Sequence, residues 1–215
     1  MTINYEVPTN DPLYPNPCTK DNATGVYGER LGGTGSKGDP DSWHPEVMDF
    51  LISYYNLSSV LDFGCGVGYH SKFFKDRGLR VCSLDGFEGV REWHQCPDDL
   101  VIHDIYKGPF LLEDKPDLFW SCDVFEHIHE EHVPKIIETC KNTNKVIAFA
   151  AAPVGWGGHH HVNCQNPPYW IKKFTEAGFK YNDEVTQFCR SITPKGHNGR
   201  INASFFQRSG LVFEV

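Results

Sequence analysis

The sequence contains no apolar run that approaches the ~20 residues of a membrane-spanning helix. Its first residues, MTINYEVPTNDP, have neither the basic start nor the apolar segment of a secretory signal. We therefore expect a soluble, cytoplasmic protein with no membrane partner. Positive charge is also scarce, because 20 Lys and Arg stand against 28 Asp and Glu, for a formal net charge of -8, and no basic stripe is present. This balance argues against nucleic acid as a partner.

Paired cysteines are absent as well. The eight cysteines occur singly, with no C-x-x-C pair, and several fall within predicted strands. This pattern argues against a disulfide frame or a structural zinc site and predicts reduced, mostly buried thiols. With 215 residues, 40% of them hydrophobic, the chain can bury one substantial hydrophobic core, and we expect one domain and not two.

The most informative segment is Val60–Gly68, which reads VLDFGCGVG. An apolar strand reaches an acid, Asp62, and three glycines follow at every second position: Gly64, Gly66 and Gly68. Such a turn lets a ligand lie directly on the backbone at the start of the next helix. A dinucleotide fingerprint would need a further glycine where this chain has Tyr69. The segment instead resembles the first motif of the class I S-adenosylmethionine-dependent methyltransferases.

Two more apolar strands are followed by an acid. The strand that starts at Arg80 ends at Asp85, and the strand that starts at Leu100 is followed by Asp104. Ligands of open α/β sheets bind at the carboxyl ends of the strands, where Asp85 could accept the two hydroxyls of a ribose. In the family that this chain resembles, Asp104 would lie near the adenine amino group. The resemblance therefore implies a cofactor site made of Asp62, Gly64, Gly66, Gly68, Asp85, Gly86, Asp104, Ile105 and Asp123.

Strand and helix patterns alternate along the chain. Strands are predicted near residues 59–63, 80–84, 100–103, 117–122, 145–150, 180–188 and 201–207. Helices are predicted after Pro45 and near residues 69–77, 88–94, 130–141 and 168–177. This alternation predicts a doubly wound, mostly parallel seven-stranded α/β sheet of the Rossmann-like methyltransferase type, with an antiparallel edge hairpin. We expect a loop-rich arm over the active site at 1–44 and one S-adenosylmethionine-binding domain at 45–215.

The fourth predicted strand leads into Asp123, Glu126 and His127, an acid-x-x-E-H segment. In many methyltransferases such residues fix the turn and contact the cofactor without a metal. In the small-RNA 2′-O-methyltransferases and the ubiquinone-pathway O-methyltransferases, a similar segment coordinates a divalent ion that binds two neighbouring substrate oxygens. Asp123 stands where those enzymes usually have Glu, so its shorter side chain weakens the match. The sequence leaves both interpretations open.

Three consecutive histidines follow the fifth predicted strand, in the segment GGHHH at 157–161. The resemblance implies that one of them completes a metal site, and the alternative is a polar loop that stacks on Trp156 or Trp170. The expected ligands of Mg²⁺ or Mn²⁺ are Asp123, Glu126, His127 and His160. A histidine that is not bound to the metal could remove the acceptor proton, so the expected catalytic residues are His127, His160 and His161.

The segment Asn166–Tyr169 spells the N-P-P-Y of DNA amino-methyltransferases, but it follows the fifth strand instead of the fourth. Its prolines are better explained as the start of a helix. The sequence therefore predicts an S-adenosylmethionine-dependent O-methyltransferase that acts on a small hydroxylated acceptor, above all a sugar unit of a glycan. Aromatic residues that could stack on a sugar are Trp43, Trp120, Trp156, Tyr169 and Trp170. The alternatives are a metal-free N- or C-methyltransferase on a small metabolite and a non-catalytic cofactor-binding regulator.

Overall fold

The computed structural model describes residues 26–28, 32–34, 42–158, 160–193 and 205–215. Two short strands, β1 (Val26–Gly28) and β2 (Gly32–Thr34), form an antiparallel ribbon. The rest of the predicted arm, up to residue 41, lies outside the described residues. Within the described part of the chain, no helix is long and apolar enough to cross a membrane.

The main sheet has seven strands in the order β5-β4-β3-β6-β7-β9-β8. The strands are β3 (Ser59–Phe63), β4 (Arg80–Asp85), β5 (Leu100–Ile102), β6 (Leu118–Cys122), β7 (Val146–Ala150), β8 (Lys180–Tyr181) and β9 (Leu211–Glu214). The first five are parallel, while β9 is antiparallel to both β7 and β8. The prediction of a mostly parallel seven-stranded sheet with antiparallel strands at one edge is therefore confirmed.

Helices cover both faces of this sheet. They are α1 (Pro45–Tyr55), α2 (Tyr69–Asp76), α3 (Val133–Cys140), α4 (Pro167–Glu176), α5 (Asp183–Ile192) and α6 (Phe205–Ser209). One core includes buried residues of α1, α2, α5 and α6, and the other includes buried residues of α3 and α4. Successive strand residues alternate between the two cores, as Phe119 and Trp120 of β6 do. This alternation makes both faces apolar, and the central strands β3, β6 and β7 are buried at every position.

The sequence prediction was wrong at the carboxyl-terminal edge. The predicted strand at 180–188 is β8 over only two residues, followed by α5. The Asn182 side chain accepts a hydrogen bond from the Val185 amide and caps this helix, which outweighs the β-propensity of the residues that follow. At 201–207, the described residues 205–207 belong to α6, and the last strand begins at Leu211. Because α5 and α6 separate β8 from β9, the edge pair is not a hairpin.

Two predicted helices also differ in detail. The stretch near 88–94 forms a 3₁₀ turn at Glu88–Glu92 instead of an α-helix. The stretch near 130–141 begins as a 3₁₀ turn at Glu130–His132 and continues as α3. The helix predicted at 168–177 begins one residue earlier, at Pro167, which confirms that the N-P-P-Y prolines open a helix. The seven cysteines within the described residues are free.

Candidate active site

The glycine turn connects β3 to α2. Gly64, Gly66 and Gly68 have φ angles of 73°, 52° and 82°, which side chains rarely permit. A Cβ atom at Gly64 would also lie within 3.0 Å of three Val124 side-chain atoms, so the turn packs closely against the segment after β6. The motif therefore forms the sharp turn that its spacing predicts, beside the carboxyl end of β6.

Asp85 lies at the end of β4, next to the glycine turn. One oxygen of its carboxylate accepts a hydrogen bond from the Gly66 amide at 2.9 Å, and the other accepts one from the Phe87 amide at 2.8 Å. Burial raises the pKa of Asp85, and these amide donors oppose that rise. A carboxylate has about four acceptor positions, so two amide bonds leave capacity for ribose hydroxyls. The neighbouring Gly86 is half-buried.

Asp62 lies beneath the turn and is only 1% exposed. Its carboxylate accepts a hydrogen bond of 2.6 Å from the Ser71 hydroxyl, which in turn accepts one of 2.7 Å from Ser83. Burial raises the pKa of Asp62 to about 7, although the Ser71 bonds act in the opposite direction. Asp62 thus connects β3, α2 and β4 below the turn, and the cofactor contact expected of it stays a prediction.

The end of β5 lies on the same edge. The His103 amide donates to the Asp85 carbonyl at 2.9 Å, which places the next residue, Asp104, near the end of β4. The Asp104 side chain accepts a hydrogen bond from the Tyr106 amide at 2.9 Å and caps a 3₁₀ turn, Ile105–Lys107. Ile105 itself is buried. Asp85, at the end of β4, and Asp104, after β5, therefore lie at the same edge of the sheet, as the strand pattern predicts.

Glu126 lies in the interior, between the segments that follow β6 and β7. Its side chain is fully buried and accepts a hydrogen bond of 2.6 Å from the Ala152 amide. Its carbonyl oxygen accepts hydrogen bonds of 2.9 Å from the Val162 and Asn163 amides. Glu126 thus joins the segment after β6 to the segment after β7. Its expected role as a metal ligand stays a prediction.

Asp123, His127 and His161 form the candidate metal group. Each offers one ligand atom, these atoms lie within 4.8 Å of one another, and all three residues are partly exposed. The rings of His127 and His161 meet edge to face, with 4.8 Å between their centroids. His161 was expected as a catalytic residue but not as a ligand. The expected ligand His160 lies outside this group, and its ring contacts His129.

Backbone geometry supports a functional role for this edge. Asp123 and His160 have φ angles of 60° and 54°, in the left-handed region that non-glycine residues rarely adopt. Such conformations are often found at functional sites, where surrounding structure enforces them. The third histidine of the run, His159, lies outside the described residues.

The orientation of His161 is fixed by its own loop. Its Nδ1 atom lies 3.0 Å from the Trp156 carbonyl oxygen, which can only accept, so Nδ1 carries the proton in the neutral ring. The Nε2 lone pair is then available to a metal or to an acceptor proton. The ring packs against Gly158, because a Cβ atom there would lie within 2.6 Å of three ring atoms. A carbonyl and a glycine therefore set the tautomer and position of this imidazole.

Several other expected residues belong to the core. Trp43, Trp120 and Trp170 are 7%, 0% and 1% exposed, so they cannot stack on a sugar as predicted. Trp156 and Tyr169 remain partly exposed. The sequence analysis also missed His94, whose ring contacts the glycine turn, because no motif or spacing distinguishes this residue.

Comparisons with known proteins agree with this architecture. Residues 61–146 match a family model described as a methyltransferase domain. No match was found among curated proteins. The fold is similar to that of N-methyltransferase NodS from Bradyrhizobium japonicum WM9, with 16% identity, 80% of this chain and 93% of that chain covered, and a TM-score of 0.55.

Two further structures share the fold. Magnesium protoporphyrin IX methyltransferase from Synechocystis PCC 6803 with bound SAH has 19% identity, 79% coverage of each chain and a TM-score of 0.53. The methyltransferase domain of bacterial CtHen1-CN has 13% identity, covers 80% of this chain and 97% of that chain, and has a TM-score of 0.56. At these identities the likeness concerns the fold, and it does not indicate an acceptor.

Proposed function

We propose that the chain is a class I S-adenosylmethionine-dependent methyltransferase that methylates an oxygen of a small hydroxylated acceptor with the help of a divalent ion. The methyltransferase domain matched at residues 61–146 and the shared fold support the first part of this proposal. The observation that carries the proposal is the group formed by Asp123, His127 and His161. This group lies beside the glycine turn, since Val124 packs on Gly64. The acceptor class that we favour is a sugar unit of a glycan. Trp156 and Tyr169 are partly exposed aromatic residues, and such side chains can stack on a sugar ring.

The residues present suit S-adenosylmethionine. The backbone of the glycine turn would receive the amino-acid part of the cofactor, Asp85 the ribose, and Asp104 with Ile105 the adenine. The three positive φ angles and the bond from Gly66 to Asp85 support this arrangement. When bound, the cofactor supplies the reactive methyl group, so the protein has only to orient the acceptor and remove its proton.

The donor set also indicates which ion would suit the group. With Glu126 bound to the Ala152 amide, one carboxylate and two imidazoles remain. Imidazole favours first-row transition ions, whereas Mg²⁺ prefers oxygen ligands, so Mn²⁺ fits this set better than Mg²⁺. Such an ion would lower the pKa of an acceptor hydroxyl and hold it in line with the methyl group.

A second candidate function is metal-free transfer, with His161 as the general base. The hydrogen bond between His161 and the Trp156 carbonyl favours it, because it leaves Nε2 unprotonated and able to take a proton. Asp123 and His127 would then shape the site without binding an ion. The two candidates use the same imidazole and differ in their response to chelation.

The test is S-adenosylhomocysteine release over a panel of glycans and metabolites with neighbouring hydroxyls. Under metal-assisted transfer, EDTA abolishes turnover, Mn²⁺ restores it, and His161→Ala lowers it by about two orders of magnitude or more. His129→Ala is the matched control, since this exposed histidine lies outside the ligand group. Full activity in EDTA that His161→Ala still abolishes would instead favour the metal-free candidate. Activity that survives both EDTA and His161→Ala would contradict both.

A further inference from the structure

The segment Trp93–Cys96 lies against the glycine turn. The Gln95 amide donates a hydrogen bond of 2.9 Å to the Val67 carbonyl. The ring of His94 packs on Gly68 so closely that a Cβ atom there would lie within 2.9 Å of three ring atoms. His94 is buried, at 7% exposure, and lies outside the candidate ligand group.

Both ring nitrogens of His94 have partners. Nδ1 accepts a hydrogen bond of 3.0 Å from the Cys96 amide, so in the neutral ring Nε2 carries the proton. Nε2 lies 3.4 Å from the Cys65 sulfur, which can accept that proton as a weak hydrogen bond. Burial lowers the pKa of His94 and so favours this neutral form. One imidazole therefore contacts both Cys65, near the start of the turn, and Gly68, at its end.

We propose that His94 is a positioning residue for the cofactor, which fixes the glycine turn in its binding conformation before S-adenosylmethionine arrives. A turn with three glycines has unusual conformational freedom, and ordering it on binding would reduce affinity. His94 restricts that freedom in advance through its bond to Cys65 and its contact with Gly68. The inference rests on the proposed use of this turn by the cofactor. It assigns no contact between His94 and either the acceptor or the ligand group.

Calorimetric titration with S-adenosylhomocysteine tests the role of His94. In His94→Ala, we expect the dissociation constant to rise about tenfold, the scale of one net hydrogen bond and its ordering effect. A Gln side chain can place an N–H near Nε2, so His94→Gln should recover part of the affinity. An Asn side chain imitates Nδ1 and does not reach the position of Nε2, so His94→Asn should recover less of the affinity. Glu92→Ala, an exposed neighbour in sequence, is the control and should bind as the wild type does.

A second measurement separates positioning from general stability. In steady-state kinetics the variants should raise the KM for S-adenosylmethionine and leave kcat at saturating cofactor nearly unchanged. Circular dichroism identifies any variant that fails to fold, and for that case Cys65→Ala provides the alternative. Cys65→Ala should weaken binding in the wild type and have little additional effect in His94→Asn, which lacks an N–H near Nε2, if the two residues act together through one bond. Purely additive effects of Cys65→Ala and His94→Asn would contradict the proposed pair.

The outcomes also distinguish this inference from the proposed function. If the folded wild type does not bind S-adenosylhomocysteine, the cofactor assignment fails. If the wild type binds it and folded His94→Ala and His94→Asn variants bind within twofold of that affinity, only the role of His94 is overturned.

Discussion

Replacing Gly158 by alanine should displace His161 and slow methyl transfer. The new Cβ atom would lie within 2.6 Å of three atoms of the His161 ring, whereas ordinary contacts begin at 3.4 Å. The ring must therefore move by about 1 Å or more, or rotate away, and either change removes Nε2 from its place in the ligand group. Misplacement by about 1 Å can cost about 100-fold in rate, so we expect a loss of that order. Cofactor affinity should change little, because neither Gly158 nor His161 is among the residues assigned to the cofactor.

The adjacent glycine provides a matched control for this experiment. A Cβ atom at Gly157 would meet nothing within 4 Å, so Gly157→Ala should keep near-normal turnover. Both variants make the same chemical change to neighbouring exposed positions. The assay is single-turnover methyl transfer together with calorimetric binding of S-adenosylhomocysteine. Equal activity of the two variants would refute the argument that Gly158 sets the position of His161.

Three further predictions concern residues around the turn and the connecting segment. Glu126→Ala should lower the free energy of unfolding by about 1–3 kcal/mol, because the buried Ala152 amide loses its acceptor; chemical denaturation with unchanged stability would contradict this. Asp62 has a pKa of about 7 in the folded protein and 3.8 in the reference state, so between these values the folded protein binds more protons than the unfolded chain. The stability of the wild type should therefore fall relative to that of Asp62→Asn as pH rises from about 4 to about 7. A difference in unfolding midpoints that stays constant over this range would refute the argument. Asp85→Ala should weaken S-adenosylmethionine binding by about 1.5–3 kcal/mol, and wild-type affinity by calorimetry, or tight binding of NAD, would overturn the cofactor assignment.

Those parts of the fold that depend on contiguous sequence were predictable. The glycine turn and the acids after β4 and β5 are local patterns, and the parallel sheet places them at one edge because all its parallel strands end there. The segment from residue 180 was mispredicted because strand propensity and helix capping compete within it. The bond from the Val185 amide to Asn182 decides in favour of the helix.

The ligand group depends on contacts that no local pattern specifies. The sequence indicated the acid-x-x-E-H segment and the histidine run, but the burial of Glu126 depends on its meeting the amide of Ala152, after a different strand. His161, and not His160, joins Asp123 in the ligand group. This choice depends on the left-handed backbone of His160 and on the Trp156 carbonyl that holds the His161 ring. His94 could not be identified because its function arises from packing on Gly68, which lies 26 positions earlier in the sequence.

Direct measurement of Mn²⁺ binding tests the proposed metal group most directly. Titration of the metal-free protein, followed by the loss of the electron paramagnetic resonance signal of free Mn²⁺, should give one ion per chain. His127→Ala and His161→Ala should abolish this binding, whereas Glu126→Gln should retain it, because the ligand group contains the two histidines and not Glu126. Absence of Mn²⁺ binding to the wild type, or binding that survives both histidine replacements, would contradict a metal site at Asp123, His127 and His161.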